Sequence, residues 1–486
     1  MNTIIHALEQ QASTHPEKTA ISGNSRLTWQ QLRTATAGLT TTLSGCRTMG
    51  LHLENSPAWI VADLAAMTAG IMNVPLPAFF SATQLRHAIQ DAQIDTIITD
   101  SPQYIAALVE IGSEVEIDIA GKLYTQLFLY RNNGCSRNGH TTKLTYTSGT
   151  TGTPRGVRLG LRTIEHVTAA LARAAGACAD DRALVVLPLS ILLENIGSVY
   201  VPIIAGAEII VPDAAELGIS GSSRVDTEQF AGALNRFRPT TMIVPPALLK
   251  QLVVLGQRQQ LPDSFRFIAV GGAPTGTGLL NAANDLWLPV FQGYGLSEAG
   301  SVIAVNTPAH NRPGSVGKPL PHTRVHVAAD HRIYLGGITA DGYLDGADFG
   351  ADTELDTGDL GYLDNDGYLY VTGRHRNLIV TGYGRNISPE WVESELLSYS
   401  CIDQAAVFGE DEAGIAAVIV PADPALSARI ETAVQQVNAT LPDYARIGRY
   451  VIAESPFHTD TGELTPNGVP AREIIGKKYA QSVGSS

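Results

Sequence analysis

The sequence predicts an α/β fold, in which layered sheets carry helices on their faces and a small α+β domain follows at the C-terminus. Two patterns support this prediction. Short runs of β-branched residues alternate with longer stretches of helical periodicity over residues 164–274. After about residue 320, apolar and polar residues alternate around turn signals, which is typical of β-hairpins. Together they indicate a large N-terminal domain that includes a small β-subdomain.

Length and composition restrict the class of protein. The 486 residues, 44% of them hydrophobic, can form one large core and a second domain. A net charge of −14 gives no support to nucleic-acid binding. The cysteines, at 46, 135, 178 and 401, lack the spacing of a zinc site or disulfide framework. There is no signal-peptide pattern and no long apolar run, so we expect a cytoplasmic protein with no nucleic-acid partner and no integral membrane segment.

The predicted strands of the large domain are short buried runs that end in turns, and the segments between them have helical spacing. In such layers, ligands bind beyond the carboxyl ends of the strands, where the glycine-rich turns of this chain fall. The strands are predicted within 182–190, 207–212, 240–249 and 266–274, and the helices within 164–177 and 228–237.

The C-terminal third predicts hairpins and then a separate domain. The runs 324–337 and 360–374 alternate apolar and polar residues, and we assign Asp364 and Asp366 of "DNDG" to the turn of the second. Ser388 followed by Pro389 predicts a helix start. We place a domain boundary at Arg376, with an N-terminal domain over 1–375 and a small mobile lid domain over 376–486.

The stretch "LTYTSGTTGTPRGVRL" (144–159) predicts a phosphate-binding loop. Glycines and small hydroxylated residues let backbone N–H groups converge on one point, and Arg155 adds a planar cation suited to phosphate. A flexible surface turn is the alternative for a generic loop of this composition. The loop also lacks the order of a Walker A motif. The pattern therefore favours a polyphosphate ligand.

Five ordered motifs resemble those of the adenylate-forming superfamily of acyl-CoA synthetases, luciferases and peptide-synthetase adenylation domains, and the likeness covers essentially the whole chain. Residues 146–156 resemble its YTSGTTGxPKG signature, with Arg155 where lysine is usual. Ser297 replaces threonine in the motif at 293–300. The remaining matches are at 342–344, 356–374 and 384–393.

The resemblance implies a two-step reaction. A carboxylate attacks the α-phosphorus of ATP to give an acyl-adenylate and pyrophosphate, and a thiol then displaces AMP. The implied cofactors are ATP, Mg²⁺ and CoA or a phosphopantetheine carrier. The implied partners are a small carboxylic acid and, as an alternative thiol donor, an acyl carrier protein.

The same resemblance assigns roles residue by residue. Glu298 would bind Mg²⁺, Ser297 the α-phosphate and Asp359 the ribose hydroxyls, with Arg374 supporting the ribose and phosphate. The hinge between the domains would lie at Arg376. The β- and γ-phosphates would lie on Thr147, Ser148, Gly149, Thr150, Thr151, Gly152 and Arg155; adenine between Tyr294–Gly295 and Gly271, Gly272 and Ala273; and pantetheine against Gly384.

One position departs from the pattern. The last family motif ends in a lysine that bridges the substrate carboxylate and the nucleotide, and the alignment places Val469 there. We interpret the nearby Arg472, Lys477 and Lys478 as the solvated end of the last helix. Three explanations remain open: a neighbouring cation substitutes, adenylation is slow, or the protein runs mainly the thioester half-reaction.

The acid is predicted to be apolar. The stretch 186–212 is nearly all apolar, with Ser190, Glu194 and Asn195 as its good polar candidates. It resembles the corresponding region of fatty acyl-CoA synthetases, with Ile191 in place of the usual aromatic residue, so a fatty or other apolar acid fits best; a plain hydrophobic core is the alternative. Two rival functions share these motifs: a non-catalytic AMP or acyl-adenylate binder, and a ligase that transfers the acyl group to a carrier protein, an amine or a hydroxyl.

Overall fold

The structure is a computed structural model of the chain. It describes residues 2–23, 25–129, 141–147, 154–220, 224–346, 348–350, 354–380, 385–410, 414–458, 460–465 and 469–480. No helix in these ranges is both long and apolar enough to cross a membrane.

The helices frequently begin at the capping residues that the sequence supplies. Thr28 and Ser81 each form a capping box with the glutamine three residues on, and Ser388 accepts a hydrogen bond from the Trp391 amide. The α-helices are α1 Thr3–Thr14, α2 Trp29–Thr42, α3 Pro57–Ala69, α4 Ala82–Asp91, α5 Pro102–Ala106, α6 Leu161–Ala174, α7 Leu192–Asn195, α8 Val201–Ala205, α9 Thr227–Phe237, α10 Pro246–Gln257, α11 Thr277–Asp285, α12 Pro389–Leu397, α13 Ile430–Thr440 and α14 Arg472–Lys478.

Short turns of other helix types complete the helical set. A π-helix covers Ile196–Tyr200, and 3₁₀ turns cover Ser297–Ala299, His375–Asn377, Pro424–Arg429 and Asp443–Ala445.

The strands of the first half are β1 Thr19–Gly23, β2 Leu27–Thr28, β3 Thr48–His52, β4 Met72–Pro75, β5 Thr96–Thr99, β6 Ile111–Ile119, β7 Lys122–Leu129, β8 Thr141–Thr147, β9 Arg155–Gly160, β10 Arg182–Leu184, β11 Glu208–Val211, β12 Ile219–Ser220, β13 Arg224–Val225 and β14 Thr241–Val244. Those of the second half are β15 Phe267–Val270, β16 Val290–Tyr294, β17 Ala304–Val305, β18 Lys318–Pro319, β19 Thr323–Val327, β20 Arg332–Gly337, β21 Gly342–Tyr343, β22 Leu355–Leu363, β23 Leu369–Arg374, β24 Ile379–Val380, β25 Asn386–Ile387, β26 Ile402–Glu410, β27 Gly414–Pro421 and β28 Ile447–Ile452.

Two large sheets form the N-terminal part of the chain. One has the order β18-β17-β16-β15-β14-β10-β11-β1-β2. Each adjacent pair between β16 and β1 in this order is parallel, and β2 pairs antiparallel with β1. The other has the order β21-β9-β8-β4-β3-β5-β7-β6. Parallel strands alternate with helices because each crossover must return along the sheet face.

The hairpin prediction is confirmed. The runs predicted to form hairpins are β19–β20 and β22–β23 in a four-stranded antiparallel sheet. Asp364 accepts hydrogen bonds from the amides of Asp366 and Tyr368, which is the turn role predicted for it. The α/β fold class with a large N-terminal and a smaller C-terminal domain is confirmed as well. The boundary at Arg376 stays a proposal.

The smaller C-terminal part docks on the large one through polar contacts. Glu395 of α12 accepts hydrogen bonds from the amide and hydroxyl of Thr277, at the start of α11. Gly276 precedes that helix, and a Cβ there would lie 2.3 Å from the Ser394 carbonyl oxygen. Lys250 of α10 donates to the Ile402 carbonyl at 2.5 Å. A carboxylate of the C-terminal domain therefore satisfies one free amide at a helix N-terminus of the large domain.

A fully buried ion pair lies beside the strand that leads into the predicted phosphate loop. Lys143 of β8 is 2.8 Å from Asp63 of α3, and it also donates to Asn195 and to Tyr200. Tyr200 and Asn195 in turn donate to the second Asp63 oxygen, while Asn73 of β4 donates to the first. Burial lowers the pKa of Lys143, and Asp63 opposes that shift. Each of the two fully buried groups has several polar partners, which offsets the cost of its burial.

We expect Lys143→Met to lower the free energy of unfolding by about 3–5 kcal/mol, because Asp63 then stays buried without its cation. Denaturant unfolding of the purified variant measures the loss. Lys143→Met with Asp63→Leu should recover part of it, since no buried charge remains. The control Lys477→Met changes an exposed lysine paired with Glu473 and should shift stability by no more than about 0.5 kcal/mol. A Lys143→Met variant as stable as the control would contradict this account.

Candidate active site

The predicted nucleotide residues lie at the carboxyl ends of neighbouring parallel strands. Gly271 and Gly272 follow β15, and the turn Ser297–Ala299 follows β16. Gly272 has φ +80°, which favours glycine. A Cβ at Gly295 would lie 1.7 Å from the Ser301 carbonyl oxygen, so this turn closes only without a side chain. The edge is where α/β sheets bind ligands.

Asp359, Tyr294 and Arg374 form one hydrogen-bonded cluster. The Tyr294 hydroxyl donates to Asp359 Oδ2 at 2.6 Å, and Arg374 Nε lies 3.0 Å from Oδ1. Asp359 and Arg374 are register partners on β22 and β23. The Asp359 side chain is 4% exposed and that of Arg374 47%, so the carboxylate is held from both sides while the cation reaches solvent.

Burial has the largest effect on this cluster. It raises the pKa of Asp359, while the nearby Arg374 cation and the Tyr294 hydrogen bond pull that pKa back down. The pKa of Tyr294 is well above its usual value because of burial and then because of the Asp359 charge. Tyr294 is therefore a permanent donor, and Asp359 retains oxygen lone pairs for a further hydroxyl ligand.

A second cluster joins the end of the phosphate loop to the predicted metal ligand. The Arg155 guanidinium lies 3.8 Å from the centre of the Tyr343 ring and 3.3 Å from Asp345. The Tyr343 hydroxyl donates to Glu298 Oε1 at 2.8 Å. Thr147 pairs with Arg155 across β8 and β9. The loop residues Ser148, Gly149, Thr150, Thr151 and Gly152, together with Gly384, lie outside the described residues.

Glu298 fits the chemistry of a magnesium ligand. It offers hard oxygen atoms, and within the described part of the chain its Oε2 makes no hydrogen bond. No group of three His, Cys, Asp or Glu residues able to hold a metal occurs in that part. Mg²⁺ is usually bound by one or two carboxylates together with phosphate oxygens and water, so a single carboxylate suits this ion where a nucleotide supplies phosphate oxygens.

An apolar cavity of about 250 Å³ adjoins the nucleotide residues. It extends from Gly271, Tyr294 and Ser297 at the carboxyl edge of the sheet towards Thr241 and Phe267 at the amino edge. A Cβ at Gly197 would lie 2.4 Å from Ile243 Cδ1, so the opposing walls approach closely there. Its apolar lining comes from the sheet and from the helical layer, and includes Leu171, Ala175, Ile191, Val201, Ile243, Ala269 and Val305.

The polar candidates within 186–212 do not line this cavity. Asn195 belongs to the buried Lys143 cluster. Glu194 is fully buried and accepts the Val186 amide at 2.8 Å. Polar lining comes instead from residues that sequence reasoning missed, namely Ser198, Ser301, Thr241 and the Asp181–Arg266 pair. They are missed because they lie far apart in sequence and face one space only in the fold.

The cations near Val469 are already paired. Arg472 bonds Glu390 at 3.1 Å and Glu393 at 2.6 Å, with 19% of its side chain exposed. The expectation of a solvated helix end is therefore wrong for Arg472, because two carboxylates of α12 pair with it and leave only a small part of its side chain exposed. Lys478 binds the buried Glu463, and Lys477 binds Glu473 at the surface. Val469 is 46% exposed.

Arg376 lies where the motif order places it, in the exposed 3₁₀ turn directly after β23. Burial and the neighbouring Arg374 lower its pKa, while Glu390 and Asp359 raise it. Its hinge role stays a prediction.

Comparison with known protein families settles the class. The model of the AMP-binding enzyme family matches residues 8–342, and that of the AMP-binding enzyme C-terminal domain matches residues 376–485. The chain belongs to the AMP-binding enzyme family. It is an adenylate-forming enzyme of the AMP-forming acid–thiol ligase class, as its motifs predict.

Three known proteins illustrate the range of relatives of this enzyme. The long-chain-fatty-acid–CoA ligase FadD15 of Mycobacterium bovis is 27% identical, with 87% of this chain and 85% of the relative covered. The fold matches that of the anthranilate CoA ligase AuaEII in complex with anthranoyl-AMP, with a TM-score of 0.79 at 18% identity over 98% and 97% of the two chains. It also matches o-succinylbenzoate CoA synthetase of Bacillus subtilis in complex with ATP and magnesium, with a TM-score of 0.76 at 24% identity over 96% and 98%.

Glu194 makes the stability of the enzyme depend on pH. Burial raises its pKa from the ordinary 4.5 to about 8, against the hydrogen bond from Val186. Between these values the unfolded chain loses the proton while the folded enzyme keeps it, so the free energy of unfolding falls as pH rises. We expect Glu194→Gln, which retains the acceptor oxygen, to show a smaller fall between pH 5 and pH 8 in denaturant titrations. Parallel slopes for the variant and the parent would contradict the assignment.

Proposed function

We propose that the enzyme activates an apolar carboxylic acid with ATP to an acyl-adenylate and transfers the acyl group to the thiol of CoA or of a carrier-protein pantetheine, with release of AMP. The observation that carries this proposal is that the apolar cavity and the charged cluster share a residue. Tyr294 and Ser297 line the cavity, and the Tyr294 hydroxyl donates to Asp359, which pairs with Arg374. An acid in the cavity would present its carboxylate where the α-phosphate of a nucleotide would lie.

The chemistry needs charge compensation more than it needs a nucleophilic side chain. Two anions must meet, and negative charge develops on the phosphoryl oxygens during attack on phosphorus. In this proposal Arg155 neutralises the β- and γ-phosphates, Glu298 holds Mg²⁺, and Ser297 donates to the α-phosphate. Asp359 orients the ribose, while Arg374 balances the charge of Asp359. Mg²⁺ would supply further charge neutralisation on the phosphates.

A fatty or other apolar acid is the proposed substrate class. Most of the cavity lining is aliphatic or aromatic, and the volume of about 250 Å³ is at the small end for ligand sites. The relatives named above act on long-chain fatty acids and on aromatic acids. A medium-sized apolar acid fits both the volume and the lining.

An adenylation-impaired enzyme is the second candidate, and the surroundings of Val469 favour it. Arg472, Lys477 and Lys478 each pair with a carboxylate, so none of them is a free cation in this arrangement. Such an enzyme would bind AMP or an acyl-adenylate, run mainly the second half-reaction, or transfer the acyl group to a non-thiol acceptor.

ATP–pyrophosphate exchange across a panel of carboxylic acids tests the two candidates. We expect measurable exchange with at least one apolar acid. Val469→Lys should increase the rate by about 10²–10³, because a buried transition-state contact is typically worth that factor. Exchange that is absent in the parent and present in the variant would reject the two-step ligase in favour of the impaired enzyme. Tight AMP binding without exchange in either protein would indicate a non-catalytic binder.

Glu298→Gln should sharply weaken metal-dependent turnover whichever acid is correct, because the amide removes the charge that attracts Mg²⁺. Initial rates against magnesium concentration measure this. The matched control Glu431→Gln changes an exposed carboxylate on α13 and should leave the curve unchanged. Equal curves for Glu298→Gln and the control would show that the metal assignment is wrong.

A further inference from the structure

We propose that Tyr343 is a positioning residue, which holds the Glu298 carboxylate ready for the metal ion and separates it from the Arg155 cation. This inference rests on the proposed function, because it concerns how the same site keeps its two charges available. Tyr343 belongs to the motif at 342–344, for which the family resemblance implied no residue role.

The contacts of Tyr343 place it between the two charged groups. Its hydroxyl donates to Glu298 Oε1 at 2.8 Å, and the Arg155 guanidinium lies 3.8 Å from its ring centre. The guanidinium therefore interacts with the negative ring face, while the carboxylate is bound at the hydroxyl end. One side chain satisfies a cation and an anion at different atoms.

The backbone and its neighbours fix the ring. Tyr343 pairs with Val157 of β9, and its carbonyl accepts from Arg158 Nε at 3.1 Å. Phe349 packs edge-on against the ring, with 5.3 Å between ring centres. Because β9 begins at Arg155, the strand that carries the cation also positions the ring beside it.

Separating Glu298 from Arg155 keeps both charged groups available for ligands. An arginine and a carboxylate in one site without phosphate attract each other, and a direct pair would occupy the groups that must bind phosphate and metal. In the described part of the chain, Arg155 pairs with Asp345 instead. Both side chains of that pair are about half exposed or more, so it is weak and is easily exchanged for phosphate.

Tyr343 is suited to a permanent donor role. A phenol hydroxyl is a donor across the physiological pH range, and that of Tyr343 is directed at Glu298 Oε1. A fixed donor to one carboxylate oxygen leaves Glu298 Oε2 for the metal ion. Partners that orient a metal ligand in this way typically change metal affinity by 10–100-fold when they are removed.

The first test is Mn²⁺ binding in the presence of ATP, followed by electron paramagnetic resonance, which needs no turnover. We expect Tyr343→Phe to bind Mn²⁺ about 10–100-fold more weakly than the parent, since it retains the ring and loses only the hydroxyl. The control Tyr362→Phe changes a tyrosine stacked on Tyr370 in the β22–β23 hairpin and should bind as the parent does. Equal affinities for Tyr343→Phe and the parent would overturn the proposal.

The second test addresses the separation of the charges by metal-free ATP binding in a calorimeter. Tyr343→Leu removes the ring and hydroxyl that hold Arg155 and Glu298, and we expect ATP affinity to fall because Glu298 then competes with phosphate for the guanidinium. Adding Glu298→Gln should restore it, because a neutral amide no longer competes with phosphate. A loss that the double variant does not restore would overturn the spacer role.

Failure of the proposed function gives a different pattern. If the parent binds neither ATP nor Mn²⁺, the proposed function and this inference both fail. If the parent binds ATP and Mn²⁺ and Tyr343→Phe binds Mn²⁺ as tightly as the parent does, the positioning role fails and the proposed function stands.

Discussion

The buried contact between Lys143 and Asp63 connects the parts of the fold that the site depends on. Lys143 lies on β8, which leads into the predicted phosphate loop, and Asp63 lies on α3. Their shared partners Asn195 and Tyr200 border the helical segment that forms one wall of the cavity. A buried charge pair tolerates little displacement, because each group depends on the geometry of the others. The strand β8 and the helical wall of the cavity are therefore tied to one centre.

Opposite charges are arranged in a controlled way at two places in the candidate site. Asp359 is compensated by Arg374, and Glu298 and Arg155 are held apart by Tyr343. An enzyme that joins two anions needs cations that its own carboxylates do not neutralise. Because Arg155 lies on a ring face and pairs with a largely exposed carboxylate, it is free to exchange that partner for phosphate.

In the C-terminal domain charged groups are also paired, but the position of the family's last lysine carries no charge. Two carboxylates of α12 hold Arg472, and α11 receives its N-terminal carboxylate from the lid. These pairs organise the lid and its docking surface, whereas Val469 contributes no charge. The predicted nucleotide residues are thus present in the sequence, whereas Val469 replaces the last cation of the family pattern.

The sequence by itself determined the local features. Glycine turns after short buried strands, the "DNDG" hairpin and the Ser388 cap are encoded within a few residues, since they depend on backbone conformation and nearby hydrogen bonds. Motif order also predicted the family correctly. Only the tertiary structure decided which side chains share a space. Glu194 was a candidate for the pocket and is instead fully buried, where it accepts a hydrogen bond from the Val186 amide. Arg472 was expected in solvent and is instead paired with two carboxylates of α12. Tyr343 gained a proposed role from contacts with Glu298 and Arg155, which lie far from it in sequence. Desolvation and long-range pairing depend on the whole fold, and no local pattern records them.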